Sequence, residues 1–292
     1  MNEEFTALQN QATWTLVPAP LNKPVLGCKW TYKTKLLPSG KVDRYKARLV
    51  ALGYNQKFGI NYTETFSPVA KMPTIRLLLT LALNRRCQIL QLDVSNAFLH
   101  GDLPDDIYMR QPPGFQHPHH PDFVCKLRKS LYGLKQAPRQ WFQKLTGFLQ
   151  AQGFGFSRSD PSLLILNKDN IQIYILIYVD DFLVTGNNEP AITRLLTQLR
   201  SQFALKQLGD ISLFLGIQVI RIVNPHYPQA PLRPNEQKPT GLSSRIQLCI
   251  EDLPVRCNIS LSRGRTSPSP QMRFASTCNN HKIKTSKLSQ DS

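Results

Sequence analysis

The sequence predicts an α+β fold, and two kinds of segment carry that prediction. Short runs rich in Val, Ile, Tyr and Phe, bounded by Gly, Pro, Asn or Asp, read as strands. Longer stretches with Ile and Leu recurring at the three-to-four spacing read as helices with one buried face. At 292 residues the chain can bury a full core, and its length allows two domains or one large one.

Residues 1 to 24, with Trp14 among several prolines, read as a lead-in that wraps the domain rather than joining its sheet. Val25 to Lys35 and Lys46 to Leu52 alternate apolar and basic residues on either side of Pro38-Ser39-Gly40, the pattern of a hairpin. Lys29, Lys33, Lys35, Lys41, Arg44, Lys46 and Arg48 lie in this stretch, interleaved with Trp30, Tyr32 and Tyr45. Cations among aromatics suit phosphates and bases, and a solvated strand face is the plain alternative. Pro73 opens a helix with Ile75, Leu78, Leu79 and Ala82 on one face, ending near Arg85 and Arg86. Ile89 to Gly101 is a strand that delivers Asp93 just before a turn or helix, where a lone acid also reads as a helix cap. A Pro-rich loop runs from Pro104 to Pro121, and Ala137-Pro138 then opens a helix that turns Trp141, Leu145, Phe148 and Leu149 inward and stops at Gly153. Strands at Leu163 to Leu166 and Ile171 to Val179 flank a turn at Asn167 to Asn170. Pro190 opens a helix carrying Ile192, Leu195, Leu196, Leu199 and Phe203, and a strand pair around Leu205 to Gln207 and Leu213 to Ile222 closes the organised part. From about Asn224 prolines and serines replace any hydrophobic period, so residues 225 to 292 are expected to be a disordered, basic tail after a domain spanning 1 to 224.

Lys and Arg number 36 against 19 Asp and Glu, a net charge of +17 that favours a polyanionic partner such as nucleic acid. The longest apolar run, Ile171 to Val179, falls far short of the roughly 18 residues of a membrane span. The start Met1-Asn2-Glu3-Glu4 lacks the basic and apolar regions of a secretory signal, so no membrane partner and an intracellular, reducing location are expected. The cysteines form no CxxC pair, with Cys28, Cys87 and Cys125 reading as core thiols, and His117, His119 and His120 sit among prolines as a loop rather than a metal site.

The stretch Ile171 to Gly186, IQIYILIYVDDFLVTG, is the most informative, because Asp180 and Asp181 interrupt an apolar β-rich run. Adjacent carboxylates between hydrophobic strands repel each other and resist desolvation unless a cation neutralises them. A hydrated turn is the simpler reading of an Asp pair elsewhere, but these flanks favour a divalent cation.

Together these segments resemble the reverse transcriptase of Ty1/copia-type LTR retrotransposons over residues 1 to 222. The resemblance rests on TWTLVPAP, GCKWTYKTK, RYKARLVALGYNQ, YTETFSPVAKMPTIR, QLDVSNAFLHGDL, YMRQPPGF, KSLYGLKQAPRQWF, YVDD and QLGDISLFLGIQV, in that order. It implies a right-hand polymerase fold with fingers and palm, and a thumb after the FLGI segment that is missing here or replaced by the tail. It assigns Asp93 to the first palm carboxylate motif and Asp180 with Asp181 to the second, together holding two Mg²⁺ ions, with Mn²⁺ as a substitute. In polymerases one ion activates the primer 3′-hydroxyl and the other supports the leaving pyrophosphate. Phe98 matches the aromatic that stacks under the incoming sugar and excludes a 2′-hydroxyl, although ordinary core packing explains a Phe there equally well. Lys46 and Arg48 resemble fingers cations that clamp the triphosphate. Lys135, Gln136 and Pro138 match the template and nucleotide-positioning motif, and Phe214-Leu215-Gly216 resembles the hairpin that grips the primer end. The implied partners are an RNA or DNA template with its primer, dNTPs, and other products of a retrotransposon polyprotein. The alternative is a catalytically inactive nucleic-acid-binding remnant of such an element.

Overall fold

The computed structural model describes residues 1–37, 39–223 and 244–250, in two compact units, Met1–Asp210 and Ile211–Ser292. The first unit is built on a six-stranded sheet. Its strands are β5 (Ile89–Val94), β8 (Gly155–Phe156), β9 (Leu163–Lys168), β10 (Ile171–Tyr178), β11 (Asp181–Gly186) and β12 (Leu205–Asp210), in the antiparallel order β12-β5-β11-β10-β9-β8. Helices α3 (Ala137–Ala151) and α4 (Glu189–Gln202) cover one face. There Trp141, Leu145 and Leu149 of α3 and Ile192, Leu195, Leu196 and Leu199 of α4 share a core with Leu92, Val94, Ile173, Ile175, Ile177, Phe182 and Val184. On the other face the end of α2 (Met72–Asn84) lies beside Tyr174 and Thr185, where Leu176 and Leu183 are also buried. Helices on both faces explain why β10 is an unbroken apolar run rather than an alternating one. Proline sits in the first turn of α2, α3 and α4, where its missing N–H leaves no bond unmade, and Asp160 caps α2 by accepting from Lys71 N (3.1 Å) and Thr74 Oγ1 (2.6 Å).

A second core joins Leu8 of α1 (Asn2–Asn10) to Leu26, Leu49, Leu99, Ile107, Met109, Leu127 and Leu131. It lies under a four-stranded sheet ordered β1-β7-β6-β2, from β1 (Trp14–Val17), β2 (Val25–Leu26), β6 (Tyr108–Arg110) and β7 (Val124–Leu127). The expected basic hairpin is present as the ribbon of β3 (Cys28–Leu36) with β4 (Val42–Ala51).

Two expectations are corrected. Residues 1 to 24 do enter a sheet, because Trp14–Val17 pairs with Val124–Leu127 and turns its side chains onto the second core. Leu205–Asp210 does not pair with the strand that follows it but with β5, placing Lys206 opposite Asp93.

In the second unit β13 (Leu213–Phe214), β14 (Ile217–Val223) and β15 (Ser244–Ile250) form a three-stranded antiparallel sheet. Residues 244–250 therefore form a strand where the sequence reading expects disorder. Their alternation of Ile246, Leu248 and Ile250 with Arg245, Gln247 and Cys249 has the period of a strand. The remainder of the expected disordered tail lies outside the described residues.

Candidate active site

The pairing of β5 with β11 sets Asp93 directly opposite Asp181. The β10–β11 hairpin closes with Tyr178 opposite Asp181, so Val179 and Asp180 form its loop and Asp181 is the first strand residue. Val179 takes a φ of 56°, a left-handed conformation that a β-branched side chain resists. Two bonds hold the loop there: Trp141 Nε1 donates to the Val179 carbonyl at 2.7 Å, and Val94 N donates to the Asp180 carbonyl at 3.0 Å. The strained turn is thus fixed from α3 on one side and from β5 on the other.

The acids repel one another. Burial, reinforced by Asp180 and Asp93, pushes the Asp181 carboxyl up to about 6. Asp93 is raised by burial and by Asp180, while Lys206, Lys46 and Arg48 oppose the rise. Among the described residues no three His, Cys, Asp or Glu side chains converge at metal-ligand spacing, so the three carboxylates adjoin without closing on a common point. Their oxygen donors suit a hard divalent ion, and its charge would oppose both the burial and the repulsion that raise Asp181.

Lys46 and Arg48 of β4, both half-buried, lie near enough to Asp93 for their charges to oppose its rise. Burial lowers Lys46, as does the neighbouring Arg48. The Arg48 guanidinium carbon lies 4.5 Å from the centre of the Tyr132 ring, and Tyr132 lies 4.8 Å from the ring of Phe98. Glu4 of α1 also faces the pair of cations; burial raises its carboxyl, and Lys46 and Arg48 oppose the rise. Its Oε1 and Arg48 Nε are buried with no hydrogen-bond partner among the described residues.

Of the other expected residues, Lys135 and Gln136 are occupied locally. Gln136 is 0% exposed, donates to the Asn61 carbonyl (2.9 Å) and Asp105 (3.1 Å), and accepts from Gln56 (3.0 Å). Lys135 Nζ donates to the Gln56 carbonyl (3.2 Å) and Tyr62 (3.4 Å). Both side chains therefore clamp the 56–62 loop, with Pro138 in the first turn of α3. In the second unit Leu215 (φ 51°) and Gly216 (φ 77°) form the two-residue turn between Phe214 and Ile217, with both positions in the left-handed region that hairpin turns of this length require. Phe214 is buried.

Sequence reasoning missed Glu4, Tyr132, Lys206 and the Trp141 bond to Val179. Lys206 had no local signal, because its importance follows from a strand pairing that sequence order does not give. Trp141 was read as core, which it is, but its indole N–H is also spent on the acidic turn.

Residues 11–227 match the family model described as "Reverse transcriptase (RNA-dependent DNA polymerase)". The chain belongs to the reverse transcriptase family. Its relatives are of the copia type that the motifs resemble. This reverse transcriptase chain is 44% identical over 269 residues to the retrovirus-related Pol polyprotein from transposon RE1 of Arabidopsis thaliana, a match that covers 92% of the chain and 17% of that protein. The polyprotein from transposon RE2 of the same plant is 48% identical, over 76% of the chain and 15% of its own length. That from transposon TNT 1-94 of Nicotiana tabacum is 46% identical, over 76% and 17%. The chain therefore spans less than a fifth of the length of these relatives. A telomerase structure from Candida albicans aligns with 75% of the reverse transcriptase chain and 49% of its own at a TM-score of 0.36 and 11% identity, too low to decide a fold. No helix among the described residues is long and apolar enough to cross a membrane.

Proposed function

We propose that this chain carries out template-directed DNA synthesis, adding dNTPs to a primer paired with an RNA or DNA template. The observation that carries the proposal is the facing pair Asp93 and Asp181, with Asp180 in the adjoining loop and Lys46 and Arg48 acting on Asp93. The sheet of β5, β10 and β11 with α3 and α4 serves as palm, and the ribbon of β3 and β4 as fingers. Asp93, Asp180 and Asp181 would hold two Mg²⁺ ions, or Mn²⁺ in their place. The ions supply an activated primer 3′-hydroxyl and charge neutralisation at the leaving pyrophosphate.

The chain's own residues do the rest. Lys46 and Arg48 bind the triphosphate through charge-assisted contacts. Trp141 keeps the acidic turn in place through Val179. Lys135 and Gln136 act by fixing the 56–62 loop rather than by touching the nucleotide. Phe214, Leu215 and Gly216 serve the primer end. The family match stops at residue 227, although the alignment with the RE1 polyprotein runs farther, and we assign no thumb to this chain. Without one, synthesis is weak and distributive, and other products of a polyprotein would supply the remaining steps of replication.

Extension of an oligo(dT) primer on poly(rA) by the full chain, in Mg²⁺ or Mn²⁺, tests the proposal. Addition of a few nucleotides per binding event is the expected result. Salt-sensitive binding of the same duplex with no extension in either metal would support the non-catalytic binder instead.

A further inference from the structure

Phe98, Tyr132 and Arg48 come from three separate elements, the one-turn helix Ala97–His100 after β5, the loop before α3, and β4, and they meet in a single stack. Tyr132 is its middle layer. One face carries the Arg48 guanidinium at 4.5 Å, and the ring packs on Phe98 at 4.8 Å with the planes inclined by 54°. All three side chains are half-buried; Phe98 also packs against both hydrophobic cores, and Tyr132 lies near enough to Asp180 and Asp93 to feel their charge.

The loop that carries Tyr132 is held in place by its backbone. Ala51 N donates to the Tyr132 carbonyl at 2.8 Å. Gly133 has a φ of +92°, and a Cβ there would lie 2.1 Å from the Ala51 carbonyl oxygen. A Cβ on Gly53 would lie 1.9 Å from the Gly133 carbonyl oxygen. Two glycines thus let the loop and the end of β4 approach closer than any side chain permits, and the height of Tyr132 above β4 is set by that approach.

We propose that Tyr132 is a positioning residue for sugar selectivity, fixing the ring of Phe98 against the 2′ position of the incoming nucleotide while holding the triphosphate cation Arg48 on its other side. This deepens the polymerase reading and rests on it. An aromatic wall discriminates hydrogen from hydroxyl at the 2′ carbon only if it cannot retreat, because a displacement well under an ångström makes room for an oxygen. Among the described residues Tyr132 is the one aromatic ring that packs on Phe98. The inference therefore separates two effects of removing the Tyr132 ring. Arg48 loses a face to rest on, which raises KM for deoxy- and ribonucleotides alike. Phe98 gains room, which favours the ribonucleotide alone.

The test is single-nucleotide incorporation of a dNTP and the matching rNTP on one primer–template by the full chain, by Tyr132→Phe and by Tyr132→Leu. Binding of the same two nucleotides is read in parallel on a dideoxy-terminated primer, where no chemistry occurs. Tyr132→Phe keeps the ring and should keep the wild-type preference for the deoxynucleotide. Tyr132→Leu should lower that preference by about tenfold in both assays while raising KM for both sugars. If Tyr132→Leu discriminates as well as the wild type while still incorporating the dNTP, the role of Tyr132 is wrong and the polymerase reading stands. If the wild type neither incorporates nor binds any nucleotide, the polymerase reading fails and this inference with it. A Tyr132→Phe variant that loses discrimination as Tyr132→Leu does would also overturn the stack, since the hydroxyl and not the ring would then be responsible.

Discussion

Trp141 donates its indole N–H to the carbonyl of Val179 at 2.7 Å, so a residue in the first turns of α3 holds the turn that presents Asp180 and Asp181. Val179 takes a left-handed φ of 56° and needs outside support to keep it. Trp141→Phe preserves most of the packing against Phe203 and His100 but removes the bond. It is expected to cost about 1 kcal/mol of stability. Primer extension should fall about tenfold or more, because a shift of the acids matters more to chemistry than to folding. Urea denaturation and single-turnover extension on the same preparation check both; equal, small losses in each would make Trp141 an ordinary core residue.

The raised carboxyl of Asp181 makes a signed prediction for metal-free protein. Its folded value of about 6 lies above the ordinary 3.8, so the folded state binds the extra proton between those values and stability falls as pH rises through that window. The cost is complete above 6 and absent below 3.8. Asp181→Asn should therefore stabilise the metal-free chain by about 1–2 kcal/mol near pH 7.5, allowing for solvent screening, and by nothing at acid pH. Thermal denaturation at both pH values reads it. Equal stability of the two proteins near neutral pH would mean that the acids do not strain one another.

His100 works in the opposite sense. Burial, with Lys129 and Lys144 nearby, lowers it below its ordinary 6.5, and its Nε2 has no partner among the described residues. The unfolded chain then binds the proton first, so His100 contributes a loss of stability as pH falls from 6.5 through the lowered folded value. His100→Phe, an apolar ring beside Trp141 and Phe203, should flatten the pH dependence in that window. Denaturation midpoints followed from neutral to acid pH would show it, and an unchanged slope would contradict it.

Two glycines should respond oppositely to alanine. At Gly133 the new Cβ meets the Ala51 carbonyl oxygen at 2.1 Å in a backbone of φ +92°, which is expected to cost about 3 kcal/mol or more. At Gly147, within α3, nothing lies within 4 Å, and Gly147→Ala should stabilise by about 0.5–1 kcal/mol. Chemical denaturation of the two variants is sufficient. A tolerated Gly133→Ala would show that the loop carrying Tyr132 is not locked to β4.

The segments legible in the sequence were those whose own pattern determined them. The apolar run of β10, the acids at its end and the proline-started helices all announced themselves through period and composition, and the structure places them as read. What was not legible depended on partners distant in the chain. Trp14–Val17 looked like an irregular lead-in because its neighbours are prolines, and only pairing with Val124–Leu127 makes it a strand. Lys206 faces Asp93 because Leu205–Asp210 joins the edge of β5, and nothing local marks that choice. Gln136 reads as a ligand by motif, yet its amide is consumed by Gln56, Asn61 and Asp105, a network visible only once three loops are brought together.

The central claim is that Asp93, Asp180 and Asp181 act as one metal-dependent centre for nucleotide addition. The most direct measurement is the single-turnover rate of adding one dNTP to a bound primer, over a Mg²⁺ or Mn²⁺ titration, for the full chain and for Asp93→Asn, Asp180→Asn and Asp181→Asn. Addition by the wild type that saturates with metal is predicted, with each variant slower by about a thousandfold or more while primer–template affinity stays within about threefold. Metal-dependent addition that survives Asp93→Asn or Asp181→Asn at the wild-type rate would contradict the account.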